Sequence, residues 1–162
     1  MSRPSTGSLS EKTSPPHHTE ATGDRVEALA GLCRSFDVEI LYAFGSRGRE
    51  ALEWLHGRRK ALTPGPSDLD VGVKPGQGAS FPVRRKVELA MALEDLFGVS
   101  RVDLVLLPEA DPFLAANIIR GERLYAADAY AADEYDLYIL RRAGDCAHLE
   151  RERMALILDS DP

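Results

Sequence analysis

The sequence predicts an α/β domain, a small mixed sheet with helices packed against it. Three observations carry that expectation. Residues 39–44, 68–73 and 101–107 are short runs rich in β-branched and aliphatic side chains, with the length of strands. Longer stretches between them carry apolar residues at helical spacing, and alternation of the two is the pattern of a layered sheet. With 162 residues, 44% of them hydrophobic, the chain can enclose one core.

Residues 1–22 are rich in Ser, Thr and Pro and nearly lack large apolar side chains, so a disordered tail is expected there. Asp24 and Glu27 then make a capping box, and Val26, Leu29, Ala30, Cys33 and Phe36 recur on one face of a first helix. Cys33 lies on that apolar stripe and reads as core rather than as a reactive thiol. The strand over 39–44 runs into Gly45-Ser46-Arg47-Gly48-Arg49, where a strand would hand over to a helix. After a polar interruption comes the strand over 68–73, then a turn at Lys74-Pro75-Gly76-Gln77-Gly78. Pro82 opens the next helix, with Val83, Val87, Ala90, Met91 and Phe97 on one face and Gly98 at its end. The strand over 101–107 follows. Asp111-Pro112 is an N-cap with proline at the first helical position; Leu114, Ala115, Ile118 and Ile119 form the apolar face, closed by Gly121. Leu124-Tyr125 reads as a short edge strand. A helical segment over 127–162 is expected to break near Gly144-Asp145, and its stripe of Tyr135, Tyr138, Ile139 and Leu149 exceeds what one small sheet needs.

The chemistry concentrates at three places. Glycine in Gly45-Ser46 lets a phosphate approach the backbone, and Ser46 and Arg47 add a hydroxyl and a guanidinium beside the same turn. Asp68 and Asp70 stand two apart on a strand, so both side chains point the same way. Adjacent carboxylates repel unless a cation sits between them, which is how a Mg²⁺ site is built. Asp103 is the one acid inside a nearly continuous apolar run, costly there unless paired or metal-bound. If its strand lies beside that of Asp70, three carboxylates converge. The competing reading for Asp103 is an ion pair with Arg101 or Arg123.

Gly45-Ser46, Asp68-x-Asp70 and Asp103, in that order, resemble the signature of the nucleotidyltransferase superfamily that includes DNA polymerase β. The short length and the ending Asn117-Ile118-Ile119-Arg120-Gly121-Glu122-Arg123-Leu124-Tyr125 resemble its minimal branch, the MNT proteins, which are antitoxins encoded beside HEPN-domain ribonuclease toxins. The resemblance covers residues 24–125. It implies a nucleotidyltransferase domain over 23–126, with 127–162 as a C-terminal partner surface. It also implies Asp68, Asp70 and Asp103 as metal-holding catalytic residues, with Gly45, Ser46 and Arg47 against the nucleotide. Mg²⁺ would be the cofactor and ATP the substrate. AMP would pass to a tyrosine of the HEPN toxin, in a hetero-oligomer. Two alternatives remain open: an antitoxin that acts by binding alone, and a transferase for a small aminoglycoside-type molecule. In one respect the chain departs from the pattern. Residues 47–67 separate the Gly-Ser from the first Asp, a longer spacer than the family's, and the excess over 50–66 is expected as an extended helix followed by a loop.

Composition narrows the function classes. A net charge of −6 argues against general attraction to nucleic-acid phosphates, leaving a local basic patch at Arg47, Arg49 and Arg58-Arg59-Lys60. Two cysteines make neither a disulfide framework nor a zinc motif. No run approaches the ~18 apolar residues of a membrane span, and no leader pattern opens the chain, so a cytoplasmic protein is expected.

Overall fold

The structure, a computed structural model, describes residues 17–158, with side chains from 22 to 157. Five helices, α1 (His17–Ser35), α2 (Gly48–Leu55), α3 (Val83–Phe97), α4 (Pro112–Ile119) and α5 (Ala129–Leu158), surround four strands, β1 (Val38–Phe44), β2 (Leu69–Pro75), β3 (Val102–Leu106) and β4 (Glu122–Ala126). The sheet order is β3-β2-β1-β4. β2 and β3 are parallel, joined by the α3 crossover, while β1 pairs antiparallel with β2 and with β4. This is the mixed sheet that the sequence predicts, with Leu124-Tyr125 inside the edge strand.

Alternation along the strands divides the core in two. Leu41, Ala43, Leu69, Val71, Val73, Val102 and Leu106 face α1, α2 and α3, where Leu29, Cys33, Trp54, Leu89, Leu93 and Phe97 close the larger cluster. Burial pushes the Cys33 thiol up to about 12, as befits a core residue. Ile40, Tyr42, Phe44 and Val105 face the other way, toward Ala115, Ala116 and Ile118 of α4 and Ala132, Tyr135 and Ile139 of α5. A Cβ on Gly72 would stand 2.2 Å from Ile118 Cγ2, so only glycine lets α4 lie this close to β2.

Several expectations are corrected. Of the predicted tail, residues 1–16 lie outside the described region, but α1 already begins at His17 and runs through Asp24 and Glu27 instead of starting there. No Gly or Pro interrupts 17–22, so the helix propagates past the capping signal. On α3 the buried face is Leu89, Leu93 and Phe97, while Val83, Val87 and Met91 are more than half exposed. The alternative i, i+4 row won because leucine and phenylalanine bury more area than valine. α2 ends at Leu55, so residues 56–68 are loop and the extended helix does not form. α5 passes through Gly144 unbroken. A glycine there costs about 1 kcal/mol, less than a 30-residue helix anchored on the sheet gains by continuing. Tyr135 and Ile139 belong to the core, which leaves Tyr138 and Leu149, with Tyr130, Leu137, Leu140, Met154, Leu156 and Ile157, as the exposed apolar part of α5.

Candidate active site

The site forms where β1 ends and β2 and β3 begin. Parallel pairing sets Asp70 directly opposite Asp103, and antiparallel pairing sets Phe44 opposite Asp70. Asp68 immediately precedes β2, whose first residue is tied to the other strand by the Leu69 amide donating to the Arg101 carbonyl at 3.1 Å. The three acids therefore share one end of the sheet, on the α4 side. β1 runs directly into a 3-10 turn, Gly45–Arg47, in which Gly45 and Ser46 are exposed. Gly45 has φ +68°, and a Cβ there would stand 2.6 Å from Asp70 Oδ2. Backbone conformation and the carboxylate both demand glycine. The turn and the acids, 25 residues apart between Gly45 and Asp70, are thus in contact.

Charge within this group is unevenly compensated. The Arg101 guanidinium reaches Asp103 Oδ1 at 3.0 Å through Nη2 and Asp68 Oδ2 at 3.5 Å through Nε. Of the two partners weighed for Asp103, the structure selects Arg101; Arg123 is engaged with Asp133 and Asp136 of α5. Asp70 has neither a hydrogen bond nor an ion pair among the described residues. Burial, then the charges of Asp103 and Asp68, hold its carboxyl above the usual range. The donor set suits a hard divalent cation: three carboxylates at one sheet end, one of them unneutralised. Among the described residues, however, no three acid side chains close on a common point where an ion would sit.

Arg47 serves the insertion. Its side chain is buried, donating from Nη1 to the Ser67 carbonyl at 2.9 Å, from Nη2 to the Thr63 carbonyl at 2.8 Å and from Nε to Glu50 Oε2 at 3.1 Å. Glu50 also accepts from Arg59 Nη1 at 2.9 Å and from the Thr63 amide. Burial raises its pKa, but the Thr63 hydroxyl and amide and the Arg47 guanidinium overcome this and hold it at about 2. Arg25 of α1 adds donors to the carbonyls of Trp54, Arg59 and Lys60 and covers the Trp54 ring at 4.6 Å. With Arg49 on Glu53 and Glu122, most of the expected basic patch is committed to ion pairs. The sequence gives no signal for this clamp, because its partners are mostly carbonyls of a loop without periodicity.

Two cavities of about 440 and 400 Å³ share Glu39 and Lys74. They open where β1 begins and β2 ends, the first reaching the end of β3 and the second the start of α5, and neither is lined by the acid group. No described helix is long and apolar enough to cross a membrane.

No protein-family model and no curated protein matches the chain. Solved structures do. A chain of the MntA–HepT toxin–antitoxin complex is 21% identical, with a TM-score of 0.52 over 85% of this chain and 97% of that one. A chain of a toxin–antitoxin complex with AMP-PNP is 22% identical, with a TM-score of 0.53 over 83% and 96%. A chain from the complex of tri-AMPylated Shewanella oneidensis HEPN toxin with MNT antitoxin is 21% identical, with a TM-score of 0.53 over 85% and 97%. Coverage is nearly complete on their side, and the likeness at these identities is one of fold: this chain has the α/β nucleotidyltransferase fold of the polymerase β-like type.

Proposed function

We propose that the protein is a metal-dependent nucleotidyltransferase of the MNT antitoxin type, transferring AMP from ATP to a tyrosine hydroxyl of a HEPN ribonuclease toxin. One observation carries the reading: Asp70, unpaired and partly buried, stands in register with Asp103 and against the exposed Gly45-Ser46 turn. Asp68, Asp70 and Asp103 would hold Mg²⁺, which when bound supplies charge neutralisation for the phosphates and acidifies a nearby hydroxyl. Ser46 and the backbone of its turn would receive the triphosphate, since Gly45 leaves no Cβ in the way. Arg47 faces the insertion, so its part is to fix the turn. Asp103 would orient the acceptor hydroxyl and take its proton. The tyrosine oxygen then bonds to the α-phosphorus as the bond to the β-phosphate oxygen breaks, and pyrophosphate leaves.

The partner reading draws on α5, whose exposed Tyr138, Leu149, Met154, Leu156 and Ile157 offer apolar area beyond the sheet. It also draws on the fold likeness to complexes of HEPN toxin with MNT antitoxin. Such a target places both proteins in the cytoplasm. Antitoxin action by binding alone has one observation in its favour, that Arg101 already neutralises two of the three acids. Co-expression with the HEPN protein of the neighbouring reading frame separates the two. Covalent AMP on the toxin with wild type and none with Asp70→Asn supports transfer; co-purification of an unmodified toxin with wild type refutes it.

A further inference from the structure

We infer that Arg101 is a positioning residue, an internal counter-cation that bridges two of the three acids until a divalent ion displaces it. The inference rests on the metal reading above and extends it to a residue outside the motif. Three observations converge. A single guanidinium bridges Asp103 and Asp68 and leaves Asp70 without a hydrogen bond or ion pair among the described residues. The backbone of Arg101 is fixed, its carbonyl accepting from the Leu69 amide at the start of β2. Its side chain is 65% exposed, so the planar fork is anchored at its base and free to swing at its tip.

The consequence is physical. Three carboxylates crowded at one sheet end without a counter-charge would repel one another and splay. Arg101 supplies that counter-charge from the chain itself, to Asp103 and Asp68 but not to Asp70. The acid group thus has the right composition, with a guanidinium rather than an ion on two of its members, and among the described residues no three side chains close on one point. An exposed ion pair is worth little in water, so the hold is weak enough to be exchanged for a divalent ion. Arg101 then sits beside the site with its donors released, next to where an anionic substrate arrives.

The test is Mn²⁺ binding to the full chain without nucleotide, read by electron paramagnetic resonance of the free ion. Arg101→Gln should bind Mn²⁺ roughly tenfold more tightly than wild type, because the ion no longer competes with the guanidinium. Arg101→Lys keeps the charge but loses the fork, and should fall between the two. In EDTA, Arg101→Gln should melt below wild type, and saturating Mn²⁺ should close that gap. Unchanged or weakened binding in Arg101→Gln overturns the inference, since a merely structural arginine would leave affinity alone or lower it. Arg101→Lys equal to wild type also overturns it, reducing the effect to general charge. Failure of both wild type and Arg101→Gln to bind Mn²⁺ strikes instead at the metal reading of Asp68, Asp70 and Asp103.

Discussion

Glu50 and Asp70 both neighbour the Gly45–Arg47 turn, and their surroundings push the two carboxyls in opposite directions. Glu50 is met by Thr63 and Arg47, which overcome its burial and bring it down to about 2, and Arg59 also bonds it. Asp70 is met by two further carboxylates, and burial with their charge raises it. The first cluster has all its strong acceptors filled and ties α2, the insertion and the chain before β2 into one unit. The second keeps an unneutralised anion partly out of water, which costs stability and makes sense only if something binds there. Both places combine carboxylates with guanidinium groups. Which cluster is scaffold and which is site depends on whether the charges cancel.

The largest effect should come from the uncancelled cluster. Asp70→Asn should lower AMP transfer to the toxin by ~10³-fold or more, measured as covalent AMP formed per unit time with Mg²⁺ present. The fold should survive, because Asp70 makes no hydrogen bond or ion pair among the described residues. A variant that keeps wild-type transfer would end the contrast drawn here.

On the scaffold side, Arg47→Ala removes the bonds that Arg47 donates to Glu50 Oε2 and to the Ser67 and Thr63 carbonyls. We expect a loss of about 3 kcal/mol in urea unfolding, or roughly 6–10 °C in melting temperature. A loss near zero would mean that the insertion is not clamped by Arg47, and would reopen that guanidinium to the nucleotide.

How much of this was legible in the sequence differs between the clusters for a physical reason. Asp70 and Asp103 could be placed because strand period and apolar runs are local signals, and the parallel register then follows from a sheet. Arg101 was legible as a partner for Asp103 because it lies two residues away, although not as a bridge to Asp68. The clamp was not legible: Arg47, Glu50 and Thr63 meet through a loop fold-back that obeys no period. Arg47 therefore read as a phosphate ligand from its place beside Gly45-Ser46. Tyr135 and Ile139 read as partner surface because one helix face looks the same whether it meets a sheet or another protein. The structure assigns them to the core beside α4 and leaves the other face of α5, with Tyr138 and Leu149, uncovered.

A smaller effect tests the sign of the contrast directly. Removing charge without changing shape should act oppositely in the two clusters. Glu50→Gln weakens charge-assisted bonds to Arg47 and Arg59 and should cost roughly 1–2 kcal/mol. Asp70→Asn removes a repelled anion and should raise the melting temperature of the metal-free protein, while abolishing any extra stabilisation on adding Mg²⁺. Shifts of the same sign in the two variants would show that the clusters do not differ as described.

The smallest effect is the pH dependence of those two differences, and it separates charge from packing. Glu50 has its folded pKa depressed from the ordinary 4.5 to about 2. Its ionised form therefore stabilises the fold fully above 4.5, and that contribution drains away as pH falls toward about 2. Asp70 has its folded pKa raised above the ordinary 3.8. Its charge penalises the fold above that raised value, and the penalty has vanished once pH drops below 3.8. Acidification should thus have erased the advantage of Asp70→Asn over wild type once pH is below 3.8, while the deficit of Glu50→Gln shrinks from pH 4.5 downward, with more than half of it gone by about pH 3. Urea unfolding of the three metal-free proteins from pH 7 downward measures both. A Glu50→Gln deficit that stays constant to pH 3 would assign the clamp's stability to shape and neutral hydrogen bonds. The opposed charges of Glu50 and Asp70 would then no longer distinguish scaffold from site.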